Sequence, residues 1–232
     1  FRTYPWDEEI WQGDRSISNP AQANQRLLDC LAKTQYELLV VAGFDWQQHF
    51  TPGVRAALTE QVKAGAGLVC IEPDGFVEGD ELAPTMGLST KRDYNVYGRW
   101  QRADTAVGLT AGLPWELFPQ TRYIGFSRPP EGEVLATVGD GQPLLVVNQL
   151  GQGRTVALTY DVLTHDWPYR GYSALTPILS YRGGWLRPEY ADMTWNYWEG
   201  WYALLCRVAV WAARRDTGAE VVSLEPLDDY VF

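Results

Sequence analysis

The side chains whose types could do chemistry sit where apolar runs stop. Glu72 follows the short run 68–71 and opens the tight turn Glu72-Pro73-Asp74-Gly75. In an open α/β sheet, ligands bind just beyond the carboxyl ends of strands, so Glu72 stands where a general base or an acceptor belongs. A second apolar run, YELLVVA at 36–42, ends in Gly43-Phe44-Asp45-Trp46 and puts Asp45 and Trp46 at the same kind of edge. A third, RTVALTY at 154–160, ends at Asp161; His165 follows four residues later, with Asp161 and Asp166 near enough in sequence to orient an imidazole. The catalytic candidates are therefore Glu72, His165 and Asp161, a carboxylate base working with an imidazole acid. Asp45, Trp46, Asp74, Asp166 and Trp167 are the candidate ligand-binding residues. Glu72 and Asp74 also form a carboxylate pair of the type glycosidases use. The chain holds two histidines, and His49 precedes a helix cap. Glu72, Asp45 and His165 show no metal-ligand spacing, so neither a metal nor a cofactor is expected.

These residues need a scaffold, and the apolar pattern supplies one. Asn19-Pro20 is a cap-plus-proline helix start, and Leu27, Leu28 and Leu31 give that helix an apolar face. The run 36–42 reads as a buried parallel strand. Thr51-Pro52 starts a second helix, whose stripe Val54, Leu58, Val62, with Ala57 beside it, faces the sheet. The helix ends at Ala64, Gly65 and Gly67 turn the chain, and 68–71 is the next strand, completing a βαβ unit with a right-handed crossover. Residues 76–119 read as less regular, with 84–88 the end of a short helix. The runs 133–138, 143–149 and 154–160, joined at Gly139-Asp140-Gly141 and Gly151-Gln152-Gly153, read as an antiparallel meander. Residues 162–193 form a long aromatic and glycine-rich excursion. Residues 194–215 read as a strong helix, with Trp198, Tyr202, Leu205, Val208, Ala209 and Ala212 on one face and Arg214 and Arg215 at its carboxyl end. The expected fold is α/β with a mixed, mostly parallel sheet. It forms one domain over 1–232, with 1–18 an arm and 216–232 a tail whose stretch 220–224 is a last strand or a lead into a further domain. The start at Phe1 suggests a trimmed chain or a piece of a longer one.

Composition narrows the partners. Of 232 residues, 46% are hydrophobic and 21% charged, ordinary values for a globular protein. A formal charge of -10 without a Lys/Arg cluster argues against nucleic acid and anionic membrane as partners. No apolar run reaches the ~20 residues that span a bilayer. Cys30, Cys70 and Cys206 are an odd number in apolar contexts, which suggests reduced core thiols and leans towards the cytoplasm. Eleven Trp and 13 Tyr are many for this length, and they concentrate after Trp167. They read either as a sugar-stacking or partner surface or as packing beneath long loops. A G-x-S-x-G elbow and a Walker-type phosphate loop are both missing from the sequence.

The order of motifs resembles a known superfamily. "VVAG", then "TPGVRAALTEQVKAGAGLVCIEP", "LTAGLPWELFP" and "GEVLATVGDGQPLLVVNQLGQGRTVALTYD" are similar to class I glutamine amidotransferase-like proteins. The likeness is to the trehalose-utilisation-like branch and the trimerisation domain of family 42 β-galactosidases, and covers roughly 36–211. It implies a flavodoxin-like three-layer sandwich. In active amidotransferases the strand after the second helix ends in an elbow bearing a Cys nucleophile, and a His and a Glu follow on a later strand. Matching strand ends places Glu72 at that elbow and His165 where the family's His comes. Cys70 lies inside the strand, and alternation turns it into a helix-covered layer; Pro73 stands where the elbow needs glycine.

Three functions follow as expectations. One is a non-catalytic amidotransferase-like domain serving assembly or ligand binding in a carbohydrate-related protein, as a homo-oligomer or joined to other domains of a longer chain, without glutaminase activity. The second is a hydrolase on a small polar or sugar-derived substrate, using Glu72 or Asp45 with His165. The third is a sugar-binding module using Trp167, Tyr169, Trp185 and Trp195.

Overall fold

The computed structural model describes residues 20–42, 46–73, 86–88, 91–103, 108–118, 120–126, 131–160, 180–181, 184–185 and 195–215. The first helix, α1 (Pro20–Lys33), leads to β1 (Leu38–Ala42), then to the single turn α2 (Trp46–His49), α3 (Pro52–Lys63) and β2 (Gly67–Ile71). β1 and β2 pair in parallel, Leu38 beside Gly67 through Ala42 beside Ile71, as the βαβ reading expects. The cap signal at Thr51 is realised: its hydroxyl accepts from the Val54 amide at 3.4 Å, with Pro52 in the first turn. Two buried amides tie the layer together. Asn24 donates to the His49 carbonyl and accepts from the Thr51 amide, joining α1 to the α2–α3 corner. Gln61 donates to the carbonyls of Leu31 and Thr34 and accepts from the Tyr36 amide, which sets where β1 begins.

The meander is also present: β6 (Glu133–Val138), β7 (Gln142–Leu150) and β8 (Gly153–Leu158) pair antiparallel in sequence. Gly139 and Gly141 take φ of 59° and 84°, which the hairpin needs and a Cβ would oppose. β8 then lies parallel to β2, so the six-stranded order is β1-β2-β8-β7-β6-β4, with β4 (Trp100–Arg102) antiparallel to β6. The parallel part is smaller than expected: two ladders are parallel and three antiparallel. The stretch read as irregular supplies three strands: β4 adds the third antiparallel ladder to this sheet, while β3 (Lys91–Gly98) and β5 (Thr121–Phe126) form a separate two-stranded pair. β3 and β5 pair antiparallel with two register shifts, and such shifts break the two-residue alternation that marks a strand in sequence. Of 84–88, expected to end a short helix, Met86 and Gly87 form a turn, and Pro84 and Thr85 lie outside the described residues. A small pair, β9 (Ser180–Tyr181) and β10 (Gly184–Trp185), is antiparallel.

Alternation along β2 divides the core into two clusters. Leu68 and Cys70 join Leu31, Val54, Leu58 and Val62 of α1 and α3, with Val146 and Ala157. Val69 and Ile71 join the other cluster, with Val156, Leu158 and Trp201, Leu204, Val208 and Ala212 of α4 (Trp195–Ala212). Helix α4 approaches closely because β2 starts with glycine: a Cβ on Gly67 would stand 2.5 Å from the Ala212 backbone. The expected face of α4 is rotated. Tyr202 is 52% exposed, while Trp201 and Leu204 are fully buried. The helix is apolar nearly all round, so several stripes satisfy helical spacing, and packing selects among them. Cys206, expected in the core, is exposed, and none of the three thiols is in a disulfide.

Candidate functional site

The parallel half of the sheet brings three strand ends together. Ala42, Ile71 and Leu158 close β1, β2 and β8 side by side. These are the ends from which the segments carrying Asp45, Glu72 with Asp74, and Asp161 with His165, Asp166 and Trp167 leave the sheet. Of these candidates, Asp45, Asp74, Asp161, His165, Asp166 and Trp167 lie outside the described residues, as do the side chains of Trp185 and Trp195.

Glu72 lies within them, and its backbone is unusual. Its amide donates to the Leu158 carbonyl at 2.9 Å, carrying the β2–β8 pairing one residue past the strand. Its φ is then +55°, one of two such non-glycine values among the described residues. A left-handed conformation costs an L-residue about 1–2 kcal/mol, and surrounding structure must hold it in place. The side chain is buried, at 1% exposure. A sharp, strained bend therefore follows β2, and it bears a carboxyl group.

Cys70, two residues back, faces the opposite way in chemical terms. It is fully buried in the α1/α3 cluster. Burial pushes its pKa far up; the neighbouring Trp46 opposes this, and the Glu72 charge adds to the rise. A nucleophilic thiol needs the reverse, a depressed pKa with solvent access. Trp46, expected to line a ligand site, is 0% exposed and packs against Phe50 with ring centroids 5.0 Å apart. It serves as core for the α1/α3 cluster, its ring packed among Phe50 and the aliphatic residues there. Trp46 starts α2, and Arg55 holds that corner by donating to the carbonyls of Trp46 and Phe50.

Aromatic residues on the α4 side also pack inward. Trp100 lies 4.8 Å from Phe118 and 5.1 Å from Trp201, and Tyr160 lies 4.7 Å from Trp201, all with rings close to perpendicular. The polar tips are satisfied: the Trp100 indole donates to the Thr121 hydroxyl at 2.6 Å, and that of Trp115 to the Thr110 carbonyl at 3.1 Å. Sequence reasoning missed this cluster because Trp100 sits in an unrecognised strand. Among the described residues, no three His, Cys, Asp or Glu side chains gather as a metal site requires, and no helix is long and apolar enough to cross a membrane.

No protein-family model matches the chain, and no curated protein does. Solved structures do. The cytoplasmic protein STM1381 from Salmonella typhimurium LT2 aligns with a TM-score of 0.51 at 16% identity, over 85% of this chain and 76% of its own. That likeness shows a shared fold. A thua-like protein from Parabacteroides merdae aligns at 0.45 and 16% identity, over 80% and 73% of the two chains. A β-galactosidase from Rahnella sp. R3 aligns at 0.36 and 19% identity, over 54% of this chain and 19% of that one.

Proposed function

We propose that this chain is a single glutamine amidotransferase-like domain, flavodoxin-like and three-layered, that has set aside glutamine hydrolysis. It serves ligand binding or assembly in a carbohydrate-related protein. One observation carries the reading: the strained bend after β2, where relatives of the superfamily hold a thiol, bears the buried carboxyl of Glu72, and the nearest thiol lies within the strand. A carboxylate accepts hydrogen bonds, so the bend suits a ligand rich in hydroxyl donors, such as a sugar or sugar derivative. Asp45, Asp74, Asp166 and Trp167, on segments leaving the same edge, complete the set we propose for that ligand. Cysteines outside any disulfide fit a reducing compartment, consistent with a cytoplasmic location.

The test is ammonia release from glutamine by the native protein and by Cys70→Ala, beside calorimetric titration of oligosaccharides into native protein and Glu72→Gln. We expect no ammonia from either form, and saccharide heat that Glu72→Gln removes. Ammonia release that Cys70→Ala abolishes overturns the reading. Light scattering at micromolar concentration tests assembly, and a strict monomer removes that part.

The strain and burial at Glu72 also favour a second reading, a hydrolase in which Glu72 takes a proton and His165 returns it. A bell-shaped rate profile on a sugar-derived ester or glycoside, with one limb lost in Glu72→Gln and the other in His165→Gln, is its signature. Turnover unaffected by both variants removes it.

A further inference from the structure

We propose that Pro73 sets the reaction class of the bend after β2: it denies the bend an amide for an oxyanion, closing it to acyl transfer and leaving it to saccharides and glycosidic bonds. The inference rests on reading that bend as the superfamily's elbow, and it deepens that reading by naming the chemistry the bend admits.

At a nucleophile elbow, the backbone N–H of the residue after the nucleophile forms one side of the oxyanion hole, and a neighbouring loop supplies the other. Each such donor is worth about 10²–10³ in rate. Here the residue after Glu72 is Pro73, which carries no N–H. The amide of Glu72 is no substitute. It donates to the Leu158 carbonyl at 2.9 Å, continuing the parallel β2–β8 ladder, and serves a ligand only by breaking that bond. The two losses are independent, one written in the sequence and one made by strand pairing. A thiol installed at residue 72 would therefore still lack the donor that belongs to the elbow.

The charge at the bend points the same way. Glu72 brings a carboxyl group to the position where an oxyanion would form, and like charge there raises the barrier to acyl transfer. Glycoside cleavage has an oxocarbenium-like transition state, which gathers positive charge and is stabilised by a carboxylate. Between an ester and a glycoside, the backbone and the side chain of this bend both select the glycoside.

The test compares two reactions of one thiol. Full-chain Glu72→Cys is made with Pro73 kept and with Pro73→Ala, both in a Cys30→Ala, Cys206→Ala background, and circular dichroism checks the fold. With p-nitrophenyl acetate the thiolate attacks the acyl carbon, the C–S bond forms, and the tetrahedral oxyanion collapses to expel p-nitrophenolate. With iodoacetamide the same thiolate displaces iodide and no oxyanion forms. The ratio of the two rates thus reports the hole separately from thiol pKa and access. We expect the ratio with Pro73 kept to match that of N-acetylcysteine in water, and Pro73→Ala to raise it about tenfold or more. A ratio unchanged by Pro73→Ala, or already tenfold above N-acetylcysteine with Pro73 kept, overturns the proposal. The native protein supplies a readout independent of those variants: hydrogen exchange at the Glu72 amide, followed by NMR. Protection is expected, and exchange as fast as in an unstructured peptide overturns the proposal, since that amide would then be open to a ligand. Failure here leaves the saccharide reading standing, whereas ammonia release abolished by Cys70→Ala removes that reading and this inference with it.

Discussion

The two sides of the sheet are built from different materials. The α1/α3 side is mainly aliphatic, with Val54, Leu58, Val62, Leu68, Val146 and Ala157 around the ring pair of Trp46 and Phe50. The α4 side is aromatic, with Trp100, Phe118, Tyr160 and Trp201 in edge-to-face contact and Trp115 at its margin. Aliphatic stripes repeat at helical spacing, so their elements announce themselves. Aromatic clusters gather residues distant in sequence, held by ring geometry and by a few polar tips such as the Trp100–Thr121 bond. The first layer is local in origin and the second is not.

Four experiments sharpen or break this contrast. The largest effect is expected from Trp201→Ala, which empties the centre of the aromatic layer. It should lower unfolding free energy by about 3–5 kcal/mol in denaturant titration. A loss no larger than that of an exposed residue would mean that the aromatic layer is loosely packed. Next is the pH dependence contributed by Cys70 in the aliphatic layer. Its folded pKa is raised above the ordinary value of 9.0, so the thiol's contribution is complete below pH 9.0. Above that the unfolded chain loses a proton that the folded chain keeps, and stability falls by about 1.4 kcal/mol per pH unit. Cys70→Ala should remove that slope in melts between pH 8 and 10, taken at about 0.15 M salt; an unchanged slope places its origin elsewhere.

A smaller effect tests the bend between the layers. Glu72→Gly and Glu72→Ala both delete the carboxyl, but only glycine relaxes a φ of +55°. Glu72→Gly should be the more stable of the two by about 1 kcal/mol. Equal stabilities would show that the left-handed conformation is not retained in solution. The smallest effect is at Tyr202, the neighbour of Trp201 on the same helix but 52% exposed. Tyr202→Ala should change stability by less than about 0.5 kcal/mol. The ratio of the Trp201 and Tyr202 effects reads out directly which face of α4 meets the sheet.

Legibility in the sequence followed the same division. Helices α1 and α3, strands β1 and β2 and the hairpins of β6, β7 and β8 stood out because caps, glycine turns and apolar runs each act within a few residues. The three strands between 91 and 126 were missed. β4 is three residues long, and β3 and β5 pair through shifted registers, so none shows a clean alternation. The placement of Glu72 after the strand could be read from Ile71 and Pro73. Its left-handed φ could not, because the bond from its amide to Leu158 joins segments far apart in the chain. Trp46 was misjudged for a related reason: a tryptophan after a strand end suits a ligand edge or a core equally well until the helices around it are placed.

By itself the sequence determined helices α1 and α3, the parallel β1–β2 unit, the meander and the place of an acid at the end of β2. These follow from short-range chemistry, the fit of cap, turn and apolar period to backbone geometry. Only the tertiary structure decided which stripe of α4 is buried, that Cys70 is sealed beneath Trp46, that the central aromatics form a core, and that Glu72 is held in a conformation its own side chain disfavours. Each of those depends on surfaces brought together from distant parts of the chain, where packing outweighs local preference by several kcal/mol.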